Sequence, residues 1–197
     1  MTADTQMRER DLRFQILEAA GRCFSQYGSY KTSLQDVAGE AGISRGTVYR
    51  YFGDRQRLIS AYIDYHSDQF LLALAGSFEE LDSLEKRLES FAWLAVRIAY
   101  EGRATKETPL VDEETVTRKL TVGGRVTLEK SIEFLVPYFR EARRKGEIRR
   151  RIDLERAAEW AVRIIMSLTV SPSATVDLSN EKDVRAFVRD HLVRGFR

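Results

Sequence analysis

The chain has one cysteine, two histidines and three prolines in 197 residues. A single thiol, Cys23, excludes an internal disulfide and a multi-cysteine zinc site, and with only His66 and His191 beside it a His/Cys metal cluster is all but excluded. Three prolines and twelve glycines leave too little punctuation for the many short turns of an all-β fold. Long apolar runs are missing too. Phe70 to Ala75, as long as any, falls far short of a bilayer's thickness, and the first twenty residues hold no apolar stretch of signal-peptide length. Nor does one sign of charge prevail: 32 basic and 30 acidic residues nearly cancel, so a nucleic-acid or membrane contact must come from a local patch. These absences predict a soluble, unexported, all-α protein in a reducing cytoplasm, with no membrane partner. Catalytic constellations are also lacking: there is no Ser/His/acid or Cys/His order, no glycine-rich phosphate loop and no H-x-x-x-H pair. The pairs Glu79-Glu80 and Glu113-Glu114 are adjacent, so they point apart on a helix. An enzyme reading has no residues to stand on, and no cofactor or metal is expected.

What remains, 43% hydrophobic and 31% charged residues, is enough to bury a core, and its periodicity is helical. Ile16, Leu17, Ala20, Cys23, Phe24 and Tyr27 recur at three-and-four spacing after the charged stretch Arg8 to Arg13 and before Gly28, which predicts a first helix. Cys23 lies on its apolar face and reads as a small core residue. A capping box, either Ser33 with Asp36 or Thr32 with Gln35, opens a short second helix from about Ser33 to Ala41. Gly42 suits the left-handed turn that ends it, and Ser44 caps a third helix through Tyr49 to Tyr51. Two helices joined by a short glycine-containing turn form a helix-turn-helix. Asp54 then caps a longer helix that begins with Leu58, Ile59, Tyr62 and Ile63 and passes Phe70.

Further helices are expected over Leu84 to Tyr100, Val111 to Val122, Val126 to Arg144 with Pro137 as a kink or break, Leu154 to Leu168, and Ser179 or Asn180 to the C-terminus, with Gly102 to Pro109 as a polar loop. The pattern divides the chain into residues 1–55, the helix-turn-helix unit, and 56–197, a helical remainder. Phe91 to Tyr100 is apolar on every side but for Arg97, which predicts a buried helix carrying one charge. A buried guanidinium must reach water along its stem, pair with an acid such as Glu101 or Glu133, or project into a pocket walled by Phe91, Trp93, Tyr100, Phe134 and Tyr138 to meet an anionic ligand. The apolar faces of the last two helices, with Ala158, Ala161, Ile165, Leu168, Val184, Phe187 and Val188, predict a four-helix homodimer interface. The basic run Arg140 to Arg151 reads as the solvated end of a helix and its loop, with DNA or a phosphate-bearing ligand as the alternative.

In a DNA-binding helix-turn-helix the second helix enters a major groove about 12 Å wide while resting on its partners. Ile43 to Phe52 has that division. Val48 and Phe52 suit a core, whereas Ser44, Arg45, Thr47, Tyr49, Arg50 and Tyr51 supply donors, and Gly46 lets the backbone approach DNA. The run Tyr27-Gly28 to Arg55, with Thr32-Ser33-Leu34-Gln35-Asp36-Val37-Ala38, Ala41-Gly42-Ile43-Ser44-Arg45-Gly46-Thr47-Val48-Tyr49 and Tyr51-Phe52, resembles the N-terminal signature of the TetR family of transcriptional regulators. The resemblance implies an N-terminal three-helix domain that reads a palindromic operator, and a variable helical domain that binds a small hydrophobic effector and forms a homodimer, with repression as the usual mode. It implies DNA contacts from Thr32, Ser33 and Gln35, from Ser44, Arg45, Gly46, Thr47, Tyr49 and Tyr51, and from Arg55. Arg55 stands where the family usually has lysine, and Arg50 where aromatic or small polar residues are common. The stretch Ala158-Glu159-Trp160 through Ser171-Pro172 resembles some actinobacterial members, several of which respond to lipid-derived molecules such as acyl-CoA. The reading from another class is a helical small-molecule-binding protein with a vestigial helix-turn-helix.

Overall fold

A computed structural model describes residues 3–105 and 124–197, and every element in them is a helix. The helices are α1 (Ala3–Tyr27), α2 (Leu34–Glu40), α3 (Arg45–Phe52), α4 (Arg55–Glu79), α5 (Leu84–Thr105), α6 (Arg125–Lys145), α7 (Leu154–Val170) and α8 (Glu181–Phe187). The chain divides into two compact units, among the described residues 3–67 with 102–105 and 68–101 with 124–197, so that the line first falls at Ser67 and Asp68, inside α4. The sequence pattern alone drew that line at 55/56.

The first unit is built on α1. The charged stretch Arg8 to Arg13 is itself helical rather than a lead-in, as its Arg, Glu and Leu content favours. From Ile16 onward α1 turns an apolar face to a core completed by Val37, Ala38, Val48, Phe52, Leu58, Ile59 and Tyr62. Cys23 is buried in this core. Burial and the nearby acids Glu40 and Asp36 push its thiol above the ordinary range, away from the reactive thiolate. Ser33 and Asp36 form the capping box of α2, and Gly42, at φ 68°, takes the left-handed conformation of the turn that no β-carbon tolerates well. Gln15 of α1 donates from Nε2 to the carbonyl of Ala41 at 2.8 Å and pins that turn from beneath. Arg22 of α1 pairs with Glu40 at 2.5 Å.

The second unit packs the rest of α4 with α5 to α8 around Leu74, Phe78, Leu88, Leu135, Phe139, Ile165 and Leu192. Asp153 and Asn180 cap α7 and α8. Pro137 sits on the exposed side of an unbroken α6, so the carbonyl four residues back loses its helical partner on a face open to solvent. Helix α5 continues past Gly102 to Thr105, so no loop begins at Gly102; the stretch Val111 to Val122 lies outside the described residues. The C-terminal helix is shorter than expected. After Phe187 it widens to a π turn (Val188–Leu192) and tightens to a 3₁₀ turn (Val193–Phe196). That change of pitch lets Val188, Leu192, Val193 and Phe196 all be buried. Arg149 holds the tail through its backbone N–H to the Phe196 carbonyl and its guanidinium to that of Gly195, and Arg197 pairs with Glu85 at 2.6 Å. Among the described residues no helix is long and apolar enough to cross a membrane.

Candidate nucleic-acid interface

Helix α3 is short because its ends are both fixed. Ser44 caps the start, accepting the Thr47 N–H at 3.1 Å, and Gly53, at φ 75°, ends it with its own N–H on the Tyr49 carbonyl. Within those eight residues, Val48 and Phe52 stand four apart and face the core, fully or nearly fully buried. At about 100° per residue, Gly46 and Arg50 then lie on the opposite side with Tyr49 beside them. Arg45, Gly46, Tyr49 and Arg50 are exposed, and Thr47 and Tyr51 are half-buried at the flanks. Tyr51 packs on the core while the Arg50 guanidinium lies 5.7 Å from its ring. Nothing within the fold demands glycine at position 46: a β-carbon there would meet only the Ser44 hydroxyl, at 3.7 Å.

The electrostatics of the segment are one-sided. Between Lys31 and Arg57 the sequence holds three acidic side chains, Asp36, Glu40 and Asp54. Asp36 is tied into the capping box, where bonds from the Ser33 N–H and hydroxyl hold its carboxyl below the usual range. Glu40 is paired with Arg22, and Asp54 caps α4 through the Arg57 N–H while also lying 3.5 Å from that guanidinium. Arg45 and Arg50 have no carboxylate partner among the described residues. The exposed start of α3, at Arg45, and the face opposite Val48 and Phe52, at Arg50, therefore offer uncompensated positive charge.

The other residues expected at the interface divide. Gln35 is exposed at the start of α2 and Ser33 is exposed as its cap. Thr32 is a correction: it is 1% exposed, and its hydroxyl donates to the carbonyls of Gly28 at 2.8 Å and Cys23 at 3.3 Å. As the residue before the cap, it turns back to satisfy carbonyls near the end of α1 and has no face toward solvent. Arg55, the first residue of α4, is half-buried. Its guanidinium donates to the Tyr30 carbonyl and lies 5.3 Å from the Tyr30 ring. Sequence reasoning missed Tyr30, since a turn residue 25 positions away leaves no periodic signal.

The second unit corrects two further expectations. Ala158, Ala161, Ile165, Leu168, Val184 and Val188 are buried within the single chain, and Phe187 is half-buried, so these faces of α7 and α8 form the unit's own core rather than a surface for a second copy. The large apolar side chain left exposed on α7 is Trp160, at 53%. In α5, Phe91 faces the core and meets Phe70, whereas Trp93, Arg97 and Tyr100 share the other side of the helix. Arg97 is exposed. The buried charge of this helix is Arg87, 9% exposed, paired with Glu141 at 2.8 Å and set 4.9 Å from the Tyr138 ring. Phe134 and Tyr138 do come together, joined by Phe78 with ring centroids 4.9 to 5.5 Å apart.

A family model described as bacterial regulatory proteins, tetR family, matches residues 16–62. Those are the limits of the first unit's core, from Ile16 to Tyr62. Over residues 16–62 the chain carries the tetR-family N-terminal domain. A probable HTH-type transcriptional regulator of Pseudomonas putida, ArpR, is 26% identical over 167 residues, spanning 80% of this chain and 78% of that protein. Solved structures share the TetR-family fold across both units. A TetR-family transcriptional regulator from Pectobacterium atrosepticum superposes with a TM-score of 0.69 at 18% identity, covering 100% of this chain and 97% of its own. AibR in complex with isovaleryl coenzyme A and operator DNA gives 0.57 at 17% identity, covering 94% and 97%.

Proposed function

We propose that this protein is a homodimeric repressor acting on chromosomal DNA in the cytoplasm, released from a palindromic operator by a small apolar effector such as an acyl-CoA. The observation that carries the DNA reading is the face of α3 opposite Val48 and Phe52. Gly46, Tyr49 and Arg50 are exposed there, Arg45 is exposed at the first residue of the helix, and the neighbouring carboxylates are already engaged. In this reading Arg45 and Thr47 meet base edges, and Gly46 brings the backbone close. Tyr49, Arg50, Tyr51 and Arg55, with Ser33 and Gln35 from α2, hold phosphates. Two copies place two such helices on half-sites about one turn apart.

The second copy is proposed to seat on the solvent side of α7, over Trp160 and half-buried Ile164, with Phe187 at the edge. The effector is proposed to lie among Trp93, Tyr100, Phe134 and Tyr138, with its anionic end toward Arg97, which is exposed. The isovaleryl coenzyme A held by AibR supports the class of ligand, and its operator DNA supports the mode. The effector acts through its differential affinity for the DNA-competent and DNA-incompetent states.

The test is direct. Duplexes bound by the protein are selected from a randomised pool, and the winner is titrated with acyl-CoA thioesters of increasing chain length. Repression by this route requires a palindromic winner, two chains per duplex, and release by at least one thioester. Equal affinity for all duplexes would instead leave a helical small-molecule-binding protein with a vestigial helix-turn-helix.

A further inference from the structure

Arg55 and Tyr30 form a contact that the fold does not need. Tyr30 is 58% exposed in the connection between α1 and α2, a place where a large ring gains little from burial. Its described partner is Arg55, 25 residues on, whose Nη1 donates to the Tyr30 carbonyl while the guanidinium lies 5.3 Å from the ring. An arginine free at a surface has several flexible torsions to freeze before it grips a phosphate. Here one nitrogen is spoken for and the plane is steadied by an aromatic face, so the fork is already placed when DNA arrives. The remaining N–H groups, at the first residue of α4, are left for an anion, beside a helix start whose Arg57 N–H is already taken by Asp54. A lysine would fit the clasp poorly, because an ammonium has no plane to lay along a ring and no fork to divide between a carbonyl and a phosphate.

We propose that Tyr30 is a positioning residue of the DNA interface: it clasps Arg55 in the orientation that holds an operator phosphate. This rests on the reading of Arg55 as a phosphate contact. Tyr30 acts through Arg55, so the two substitutions must not add.

The experiment measures affinity and salt dependence on a duplex selected by the parent protein from a randomised pool, for Tyr30→Ala, Tyr30→Phe, Arg55→Ala and the double variant, each checked for an unchanged melting temperature. Arg55→Ala is expected to weaken binding about tenfold and to lower the slope of log affinity against log salt by about one per contact. Tyr30→Ala is expected to lose about threefold to tenfold and to lower the slope in the same sense, because an unplaced arginine grips less often. Tyr30→Phe keeps the ring and the carbonyl and should match the parent, and the double variant should bind no worse than Arg55→Ala. If Arg55→Ala leaves affinity unchanged, the phosphate reading fails and the clasp with it. If Arg55→Ala weakens binding while Tyr30→Ala does not, or if Tyr30→Ala weakens the Arg55→Ala variant as much as the parent, Arg55 grips DNA without Tyr30 and the clasp alone is overturned.

Discussion

The two units differ in how tightly function constrains sequence. In the first, about fifty residues must fold a small core and present one short helix to a groove of fixed width, so nearly every position has a single task and the tasks leave a pattern. In the second, any set of apolar faces that interlock will make a helical body, and the same Leu, Ala and Phe serve a core, a partner copy or a ligand equally well. The hydrophobic pattern therefore identifies apolar faces in both units but assigns their use only in the first.

The largest effect that sharpens this contrast comes from α7. Ile165 is 1% exposed within a single chain. Ile165→Asp is expected to bury an unpaired carboxylate and remove about 4 kcal/mol or more of stability, unfolding the second unit rather than freeing a folded monomer. Trp160→Glu, on the exposed side, should keep the melting temperature and yield a chain of 22.7 kDa in solution. Ultracentrifugation with a circular-dichroism melt separates the two, and a stably folded Ile165→Asp monomer would return the interface to the face first expected.

Next in size are the two arginines of α5. Removing Arg87 takes one of two cations from Glu141 and uncovers the Tyr138 ring, so Arg87→Met should cost about 1–3 kcal/mol, a range held down because Lys145 still pairs with Glu141 at 2.6 Å. Exposed Arg97→Met should stay within about 0.5 kcal/mol. Chemical denaturation of both variants checks the order; the reverse order would mean that the buried charge had been misidentified in the structure rather than in the sequence.

Gly46→Ala is expected to move two properties in opposite directions. Nothing in the fold opposes a β-carbon there, and alanine is the better helix residue, so stability should rise by up to about 1 kcal/mol. Affinity for the selected duplex should fall if, as proposed, the methyl group stands where backbone meets DNA. A variant that is more stable and binds equally well would remove Gly46 from the interface.

The smallest effect is with pH. Hydrogen bonds from Lys145 and Arg87 hold the Glu141 carboxyl down at about 2, below its ordinary 4.5. The unfolded chain takes up this proton first as pH falls, so the stability contributed by Glu141 is fully present above 4.5 and is lost toward 2. Glu141→Gln should flatten that part of the acid titration, and an unchanged profile would show that Glu141 has no part in it.

The helix-turn-helix was legible almost to the residue because its signals are local. Ser33 with Asp36, Gly42, Ser44, and Val48 with Phe52 all act within a few positions of one another. What sequence reasoning misplaced there depends on distance along the chain. Thr32 turns inward to carbonyls at the end of α1, and Tyr30 meets a residue 25 positions away. In the second unit, three-and-four spacing marked apolar faces of α7 and α8 but not what covers them, and α5 was read as buried on all sides when only Phe91, Ala92 and Val96 of that stretch are. The charge chosen was the one standing among apolar neighbours. The charge actually buried, Arg87, sits in a charged run where no pattern marks it out, and its partners come from α6.

The central claim, that the exposed face of α3 reads bases, is tested most directly by selecting duplexes from a randomised pool with the parent protein and with Arg45→Ala, and comparing the base preference at each position. The expected result is that one position in each half-site loses its preference, with about 1–3 kcal/mol of affinity for the parent's duplex, while the other positions keep theirs. Identical preferences and affinity from both proteins would contradict it.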